Sequence, residues 1–369
     1  MNTSFFFRCI NQSCQRQFDI NEKLYQCPTC SDLLDIAYDF APVDVEQLKA
    51  SFSRRRTSSD PLDVSSVWRY REFLPFDEED LHHVVTLGEG SSPILEVPRC
   101  AEYVGLDRLR IKHLGWNPSA SFKDHGMTVA ISQARKLNSQ VVACASTGNT
   151  SASMAAYCAR TNLRAVVFIP EGQIAYGKLS QALDYGALTL QIRGSFDTAM
   201  RLVQELGRET DLYLMNSINP FRLEGQKIAI VELLDQLDWK IPDRIVVPGG
   251  NLGNSSSYGK ILMELQELGF IDKVPRITII QAEGADPLYR TLVTSSEELV
   301  PVTDAWTLAS AIKIGQPISW KKAVGALRFS DGWCECRPYR GTRQPPRPDA
   351  RYSHRRMGTT RCSSARRAS

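Results

Sequence analysis

The chain has 369 residues, of which 43% are hydrophobic and 23% are charged, and its formal net charge is +3. This composition excludes collagen-like, wholly disordered and disulfide-scaffold proteins, and the length predicts two or three domains. No stretch approaches the roughly 18 consecutive apolar residues of a membrane-spanning helix, and the N-terminus lacks the long apolar segment of a cleaved signal. We therefore expect a cytoplasmic location and no membrane partner.

The first 40 residues predict a small zinc-ribbon-like segment. They contain two pairs of cysteines, separated by four and by two residues, with turn-forming residues between them. Four thiolates at this spacing could complete a tetrahedral structural zinc site, which would stabilise a stretch too short to fold alone. A metal-free ribbon and plain reduced thiols are the alternatives. The candidate ligands are Cys9, Cys14, Cys27 and Cys30.

Residues 41–80 are a connector, and residues 81–330 form a long α/β region. Short apolar strands alternate there with helical patterns, which predicts βαβ units, a parallel sheet covered on both faces, and ligands beyond the carboxyl ends of the strands. Strands are predicted at 141–145, 165–169, 188–192, 212–215, 244–247 and 276–281. Helices are predicted at 123–137, 150–161, 177–185, 196–207, 225–237 and 255–268.

Lys123 stands at the predicted start of a helix, where the helix dipole disfavours a cation. Most lysines in such a position are solvated. The same field, together with partial burial, would lower the pKa of this lysine and favour its neutral, nucleophilic amine. Lys123 is therefore a candidate for covalent binding of a carbonyl cofactor.

Two polar segments that follow predicted strands could bind anions. Residues 146–151 place small residues and hydroxyls at a helix N-terminus, although an ordinary N-cap explains them equally well. Residues 249–254 contain three glycines and two asparagines, which free backbone N–H groups to cradle a phosphate, with a plain strand-to-helix turn as the alternative. The second segment matches neither nucleotide-binding fingerprint. Together with Lys123 it suggests pyridoxal phosphate.

A third polar segment, residues 216–227, also follows a predicted strand. Arg222 can bind an anion through two N–H groups, and the neighbouring amide side chains can supplement it. The alternative is a surface ion pair between Arg222 and Glu224 in a loop.

Residues 63–328 resemble the threonine synthases, which belong to the pyridoxal-phosphate enzymes of the tryptophan-synthase-β-like fold, also called fold type II. This resemblance implies an α/β protein with two open parallel-sheet domains, the smaller at about 117–215, preceded here by the zinc-ribbon-like segment that some members also carry. Seven motifs carry the resemblance in the expected order, at residues 67–71, 87–90, 117–127, 145–150, 216–227, 249–254 and 309–315.

The resemblance also implies roles for individual residues. Lys123 would bind the cofactor covalently and act as the base, and Asn149 would hydrogen-bond the ring hydroxyl of the cofactor. The residues implied for the cofactor phosphate are Gly250, Asn251, Leu252, Gly253 and Asn254. The residues implied for a second phosphate, that of the substrate O-phosphohomoserine, are Ser146, Thr147, Asn216, Arg222 and Asn251.

The implied reaction converts O-phosphohomoserine and water into L-threonine and phosphate, which is a lyase step of threonine biosynthesis. The alternatives are a threonine or serine dehydratase, a related β-replacement enzyme, and an inactive truncated paralogue. Asn216 and Arg222 discriminate between them, because a simple dehydratase needs no second anion site. Three departures from the family pattern are Ala120, His125 and Ser92, which replace a glycine, an arginine and a threonine. We expect a small-molecule substrate, no nucleic-acid partner and a homodimer.

Residues 331–369 differ from the rest of the chain. They contain ten arginines, no lysine and three acidic residues, a net charge of +7, so the remaining 330 residues carry −4 of the total of +3. They also lack leucine, isoleucine, valine and phenylalanine, and such a composition builds no core. Because the resemblance stops near residues 328–332, we expect a basic, non-native or disordered tail, introduced by a frameshift, in place of the C-terminal part of the family.

Overall fold

The computed structural model describes residues 3–171, 176–194 and 196–337. Residues 3–40, called the N-terminal module below, form a three-stranded antiparallel sheet with β1 (Ser4–Cys9) between β2 (Gln17–Phe18) and β3 (Leu34–Asp39). Strand β1 pairs with β3 along its whole length. Alternate side chains of these strands are buried, as expected when one sheet face packs against other elements.

The connector, residues 41–80, is part of the core and not a peripheral linker. Trp68 is fully buried, and its indole N–H donates to the hydroxyl of Thr128 at 2.8 Å. Asp44 caps the first helix of this segment by accepting a hydrogen bond from the N–H of Gln47. The elements of the segment are α1 (Val45–Arg55), α2 (Pro61–Val64) and two 3₁₀ turns at Trp68–Phe73 and Glu78–His83.

A small two-stranded antiparallel sheet comes next. It is formed by β4 (Ile94–Glu96) and β5 (Arg110–Lys112), which are joined through α3 (Pro98–Val104). A 3₁₀ turn at Leu114–Trp116 then leads into the first parallel sheet.

The first parallel sheet has four strands, each separated from the next by a helix. Its elements in chain order are α4 (Lys123–Lys136), β6 (Val141–Ala145), α5 (Asn149–Ala159), β7 (Arg164–Pro170), α6 (Tyr176–Asp184), β8 (Leu188–Ile192), α7 (Phe196–Glu209) and β9 (Tyr213–Leu214). The strand order is β8-β7-β6-β9, so β6 lies inside the sheet.

The second parallel sheet has three strands in the order β10-β11-β12. Its region consists of α8 (Pro220–Gln236), β10 (Arg244–Pro248), α9 (Gly253–Glu267), β11 (Arg276–Ala282), α10 (Pro287–Val293), a 3₁₀ turn (Ser310–Ile312), α11 (Trp320–Phe329) and β12 (Trp333–Arg337). Helix α8 packs against both α4 and α9 and so joins the two sheets. Among the described residues, none of the helices has the length and apolar character needed to cross a membrane.

All six strands and all six helices predicted for the α/β region are present, with ends that differ by at most five residues. The largest difference is at α8, which begins at Pro220 and not at residue 225, because Asn219 caps it by accepting a hydrogen bond from the N–H of Phe221.

Strand β12 extends the α/β region beyond residue 330, where we expected the tail to begin. It pairs in parallel with β11. The buried side chain of Cys334 packs there as an apolar group, although the segment as a whole lacks the residues that usually build a core. The rest of the expected tail, residues 338–369, lies outside the described residues.

Candidate active site

Lys123 is the first residue of α4, and the loop before it is held by hydrogen bonds. The carboxylate of Asp124 accepts from both the backbone N–H and the hydroxyl of Ser119, at 2.7 and 2.6 Å. The side-chain oxygen of Asn117 accepts from the N–H of Gly90 at 2.8 Å. These contacts fix the position at which the lysine enters the helix.

Ala120, one of the departures from the family pattern, lies in this loop with a φ of +56°. This is the left-handed region, which costs a residue with a Cβ about 1–2 kcal/mol and which glycine enters freely. The loop therefore keeps the backbone conformation that suits glycine, although an alanine stands there.

The amine of Lys123 has an unusually low pKa. Burial lowers it first, the positive charge of Arg222 adds to the effect, and together they bring the pKa to about 7. The amine lies 4.4 Å from the centroid of the Phe122 ring. Near neutral pH a large fraction of this lysine is therefore unprotonated and nucleophilic. Burial is the main cause, as expected, whereas the second cause is Arg222 and not the helix dipole.

Helix α4 crosses α8 at very short distance, and two glycines make this possible. A Cβ on Gly126 would lie 2.5 Å from the carbonyl oxygen of Arg222, and a Cβ on Gly225 would lie 1.9 Å from that of His125. Any larger residue would collide with backbone atoms. The crossing places Lys123 and Arg222 near each other, on the first turns of two different helices.

Arg222 is 1% exposed, so the alternative of a surface ion pair in a loop is wrong. One guanidinium N–H group, at Nη1, donates to the carbonyl of Met215 at 2.9 Å. Its Nε and Nη2 have no hydrogen-bond partner among the described residues. Burial lowers the pKa of this guanidinium to about 10. Because a buried cation with unused donors is costly, this arrangement favours binding of an anion.

Asn216 uses its side-chain amide to extend the first parallel sheet. Its oxygen accepts from the N–H of Ala145 at 3.1 Å, and its nitrogen donates to the carbonyl of the same residue at 3.0 Å. Asn251 is similarly engaged, since it donates to the hydroxyl of Ser217 and accepts from the N–H of Ile318 at 2.8 Å. Both amides thus bind backbone and side-chain atoms around the site and stabilise the segments that carry it. Their direct contact with substrate stays a prediction.

Ser146, Thr147 and Asn149 lie between the carboxyl end of β6 and the first turn of α5. Because β6 is an inner strand, these half-buried residues occupy the part of the sheet where ligands of parallel α/β proteins bind. The Ser146 hydroxyl accepts from the N–H of Gly148 at 3.2 Å.

The predicted phosphate loop follows β10 and continues into the first turn of α9. It consists of Gly250, Asn251, Leu252, Gly253 and Asn254, the last two of which are the first residues of the helix. Leu252 is buried with a φ of +63°, a strained left-handed conformation. Turns of this kind can direct successive backbone N–H groups toward an anion. A Cβ on Gly250 would lie 3.1 Å from Ile312, so the loop is closely covered. The side-chain oxygens of Asn254 and Ser255 are buried without a partner among the described residues.

This loop fits a phosphate group, because it offers backbone donors at a helix N-terminus together with the unused hydroxyl of Ser255, which can donate a hydrogen bond. Ser255 was not among the predicted site residues. Its place in the first turn of α9, directly after the glycine-rich loop, is the signal that could have found it.

His125, the second departure from the family pattern, is buried two residues after Lys123. Its Nε2 lies 3.8 Å from a carboxylate oxygen of Glu232, and neither ring nitrogen has a hydrogen-bond partner among the described residues.

The four N-terminal cysteines come together, as their spacing predicts. Their sulfur atoms lie within 4.8 Å of one another, with Cys9 and Cys30 at 3.4 Å and Cys14 and Cys27 at 3.7 Å. Tetrahedral zinc with Zn–S bonds of 2.3 Å separates its sulfur ligands by about 3.8 Å. Burial would raise the pKa of Cys27, but backbone N–H groups of Cys30 and Thr29 lower it to about 6. The donor set fits a structural zinc ion.

Comparison with known proteins agrees with this geometry. The family model for pyridoxal-phosphate dependent enzymes matches residues 85–330. The threonine synthase of Methanocaldococcus jannaschii is 43% identical over 328 residues, which cover 89% of this chain and 78% of that relative. The threonine synthase of Methanosarcina acetivorans is 42% identical over 333 residues, which cover 90% and 78%.

Two solved structures show the same fold. The structure of threonine synthase from Escherichia coli has a TM-score of 0.66 at 18% identity, covering 90% of this chain and 77% of that one. Maize serine racemase has a TM-score of 0.59 at 19% identity, covering 74% and 76%. The predicted fold class, α/β of fold type II, is confirmed.

Proposed function

The chain belongs to the pyridoxal-phosphate-dependent enzymes and, within them, to the threonine synthase family, and on this premise we propose that it converts O-phosphohomoserine and water into L-threonine and phosphate. The observation that carries the proposal is the buried guanidinium of Arg222, which lies beside Lys123 and whose Nε and Nη2 groups have no hydrogen-bond partner within the described part of the chain. The glycine-rich loop before α9 supplies one anion site and Arg222 a second, and the proposed substrate and cofactor each carry a phosphate.

In the proposed mechanism each of these residues has one task. The loop from Gly250 to Asn254 would hold the cofactor phosphate, and Lys123 would bind the cofactor's carbonyl carbon. When bound, pyridoxal phosphate supplies an electron sink that stabilises negative charge on substrate carbon atoms. Asn149 would hydrogen-bond the cofactor ring, while Ser146, Thr147 and Arg222 would bind the substrate phosphate. Asn216 and Asn251 would stabilise the backbone segments around them.

Lys123 would then move the protons, once the amino group of the substrate has taken its place on the cofactor's carbonyl carbon and freed the lysine amine. With a pKa of about 7, the freed amine would take a proton from Cα at neutral pH, give it up, and later take one from Cβ. The phosphate leaves Cγ with the electrons of the C–O bond, and Arg222 stabilises the charge on its oxygens. Water then adds its hydroxyl at Cβ, and protons return to Cα and Cγ. The balance is one phosphate and one threonine for each O-phosphohomoserine and water.

The experiment measures phosphate release and threonine formation by the purified holoenzyme supplied with O-phosphohomoserine. Lys123→Ala is expected to abolish both products together with the long-wavelength absorbance that the cofactor gains on binding a lysine. Arg222→Gln is expected to raise KM at least about tenfold, because hydrogen bonds to charged groups contribute about 1.5–3 kcal/mol.

Arg290→Gln is the matched control for Arg222→Gln. Arg290 is partly exposed on α10 and pairs with Asp286 at 2.8 Å. Its replacement by glutamine is expected to leave KM unchanged. Deamination of threonine without phosphate release from O-phosphohomoserine would contradict the proposal and indicate a dehydratase. Cofactor absorbance without either activity would indicate an inactive paralogue.

For the N-terminal module, the proposal is a structural zinc ion bound by Cys9, Cys14, Cys27 and Cys30. Metal analysis of the purified protein is expected to give about one zinc per chain. Cys27→Ser should lose this metal and lower the thermal midpoint, whereas Cys100→Ser, at an exposed cysteine outside the cluster, should retain it. A content well below one metal per chain in the parent protein would contradict the proposal.

A further inference from the structure

The N-terminal module holds the end of the strand from which Arg222 is anchored. The hydroxyl oxygen of Tyr25, in the loop between β2 and β3, accepts from the N–H of Leu214 at 2.7 Å. Leu214 ends β9, and its carbonyl accepts from the amide of Asn219, the N-cap of α8, at 2.8 Å. The next carbonyl, that of Met215, accepts from Arg222 at 2.9 Å. Two hydrogen bonds on the neighbouring residues Leu214 and Met215 therefore connect Tyr25 to the guanidinium of Arg222.

The module also contacts the first turns of α8, on both sides of Arg222. Phe7 of β1 packs edge-on against Phe221, with ring centroids 5.9 Å apart and planes at 87°, and both rings are buried. The hydroxyl of Tyr38, on β3, donates to the carboxylate of Glu224. Phe221 directly precedes Arg222 and Glu224 follows two residues later, so the module fixes the backbone at both positions.

Glu224 is fully buried, and its charge requires partners that define its position. Lys227 lies 2.6 Å from one of its carboxylate oxygens, and Lys260 of α9 contacts the other. Lys260 also lies 3.2 Å from Asp35, which returns to β3 of the N-terminal module. Because an unpaired charge at a buried site costs several kcal/mol, this network specifies one position for α8 relative to the module.

Resting on the function proposed above, we propose that Tyr25 and Tyr38 are positioning residues of the substrate-phosphate site, and that they act through Arg222. Binding of a phosphate by a guanidinium depends on the direction of its N–H groups, and errors of about 0.5 Å weaken such sites. One N–H of Arg222 is committed to Met215, so the placement of β9 and α8 sets the direction of the other donors. The N-terminal module thus contributes to the geometry of the active site, in addition to the zinc site proposed for it.

The test uses the holoenzyme and inorganic phosphate as the probe, with binding followed by calorimetry and by competition against substrate. Tyr25→Phe and Tyr38→Phe each remove one hydroxyl and are expected to weaken phosphate binding and raise KM about three- to tenfold, the effect of one hydrogen bond. We expect kcat to stay within about twofold and the cofactor absorbance to stay unchanged. Tyr103→Phe, the same change at a tyrosine that is 90% exposed, is the matched control.

The dependence on Arg222 is tested by combining variants. In an Arg222→Gln background, Tyr25→Phe is expected to have no further effect on phosphate affinity, since residues that act through one group are not additive. Additive effects, or a lower thermal midpoint with unchanged phosphate affinity and KM, would overturn the inference and leave the tyrosines a structural role. If the parent binds phosphate through Arg222 but does not turn over O-phosphohomoserine, the proposed function fails while the positioning role stands.

Discussion

The crossing of α4 and α8 makes a quantitative prediction about Gly225. In Gly225→Ala the new Cβ would lie 1.9 Å from the carbonyl oxygen of His125, where ordinary contact begins at 3.4 Å. The two helices must separate by about 1.5 Å, because the Cβ position is fixed by its own backbone and the atoms that it meets are all backbone, so no side chain can rotate away. Overpacking of this kind costs about 1–3 kcal/mol, and the gain in helix propensity from glycine to alanine offsets up to about 1 kcal/mol.

We therefore expect Gly225→Ala to lower the free energy of unfolding by about 1–2 kcal/mol. Gly325→Ala is the matched control, because Gly325 is exposed in the interior of α11 and its Cβ would meet no atom of residues 3–171, 176–194 and 196–337 within 4 Å. The control should raise stability by about 0.5–1 kcal/mol. The assay is guanidinium denaturation of both variants with one spectroscopic probe.

Activity should respond to Gly225→Ala more strongly than stability. Lys123 and Arg222 stand on the two separating helices, and a misplacement of about 1 Å can cost about 100-fold in rate. We expect kcat/KM to fall by at least tenfold in folded, cofactor-loaded Gly225→Ala and to stay unchanged in Gly325→Ala. A Gly225→Ala variant as stable and as active as Gly325→Ala would refute the reasoning.

Two further predictions concern the loop and first turn around the lysine. The rate at which the apoenzyme captures pyridoxal phosphate, followed by absorbance, should rise with pH and level off above the Lys123 pKa of about 7, because the unprotonated amine reacts; a rate still climbing between pH 9 and 10 would contradict the low pKa. Ala120→Gly should stabilise the protein by up to about 1 kcal/mol in thermal unfolding, whereas Ala50→Gly, at an exposed position of α1, should destabilise it by a similar amount. Equal effects of the two substitutions would rule out strain at Ala120.

The elements of the α/β region could be predicted because each depends on local signals. The strand at Val141–Ala145 is an apolar run between polar segments, and its predicted bounds are those observed. The predicted start of α8, residue 225, is wrong, although Asn219 and Pro220 are ordinary signals for a helix start. A start at residue 225 places Arg222 in a loop, and for a loop residue a surface ion pair with Glu224 is a reasonable alternative.

The inner surroundings of the site could not be read from the sequence, because they depend on contacts between distant residues. Asn216 pairs with the backbone of Ala145, 71 positions away, so an amide that looked free for substrate is used to extend a sheet. Tyr25 contacts Leu214 across 189 positions, and nothing in the local pattern around either residue indicates it. Residue types predict which chemistry is available, but the folded arrangement decides which donors remain unused.

The electrostatics of the site connect the protonation of Lys123 with the binding of an anion at Arg222. Arg222 contributes to the low pKa of Lys123, because two neighbouring cations disfavour each other. An anion bound at Arg222 offsets that positive charge and therefore raises the pKa of the lysine. A substrate phosphate at Arg222 would then make Lys123 hold its proton more tightly, and departure of the phosphate would make Lys123 a better proton donor. With phosphate bound at Arg222 as proposed, proton release by Lys123 and phosphate release from Arg222 would be thermodynamically linked, so that each would favour the other.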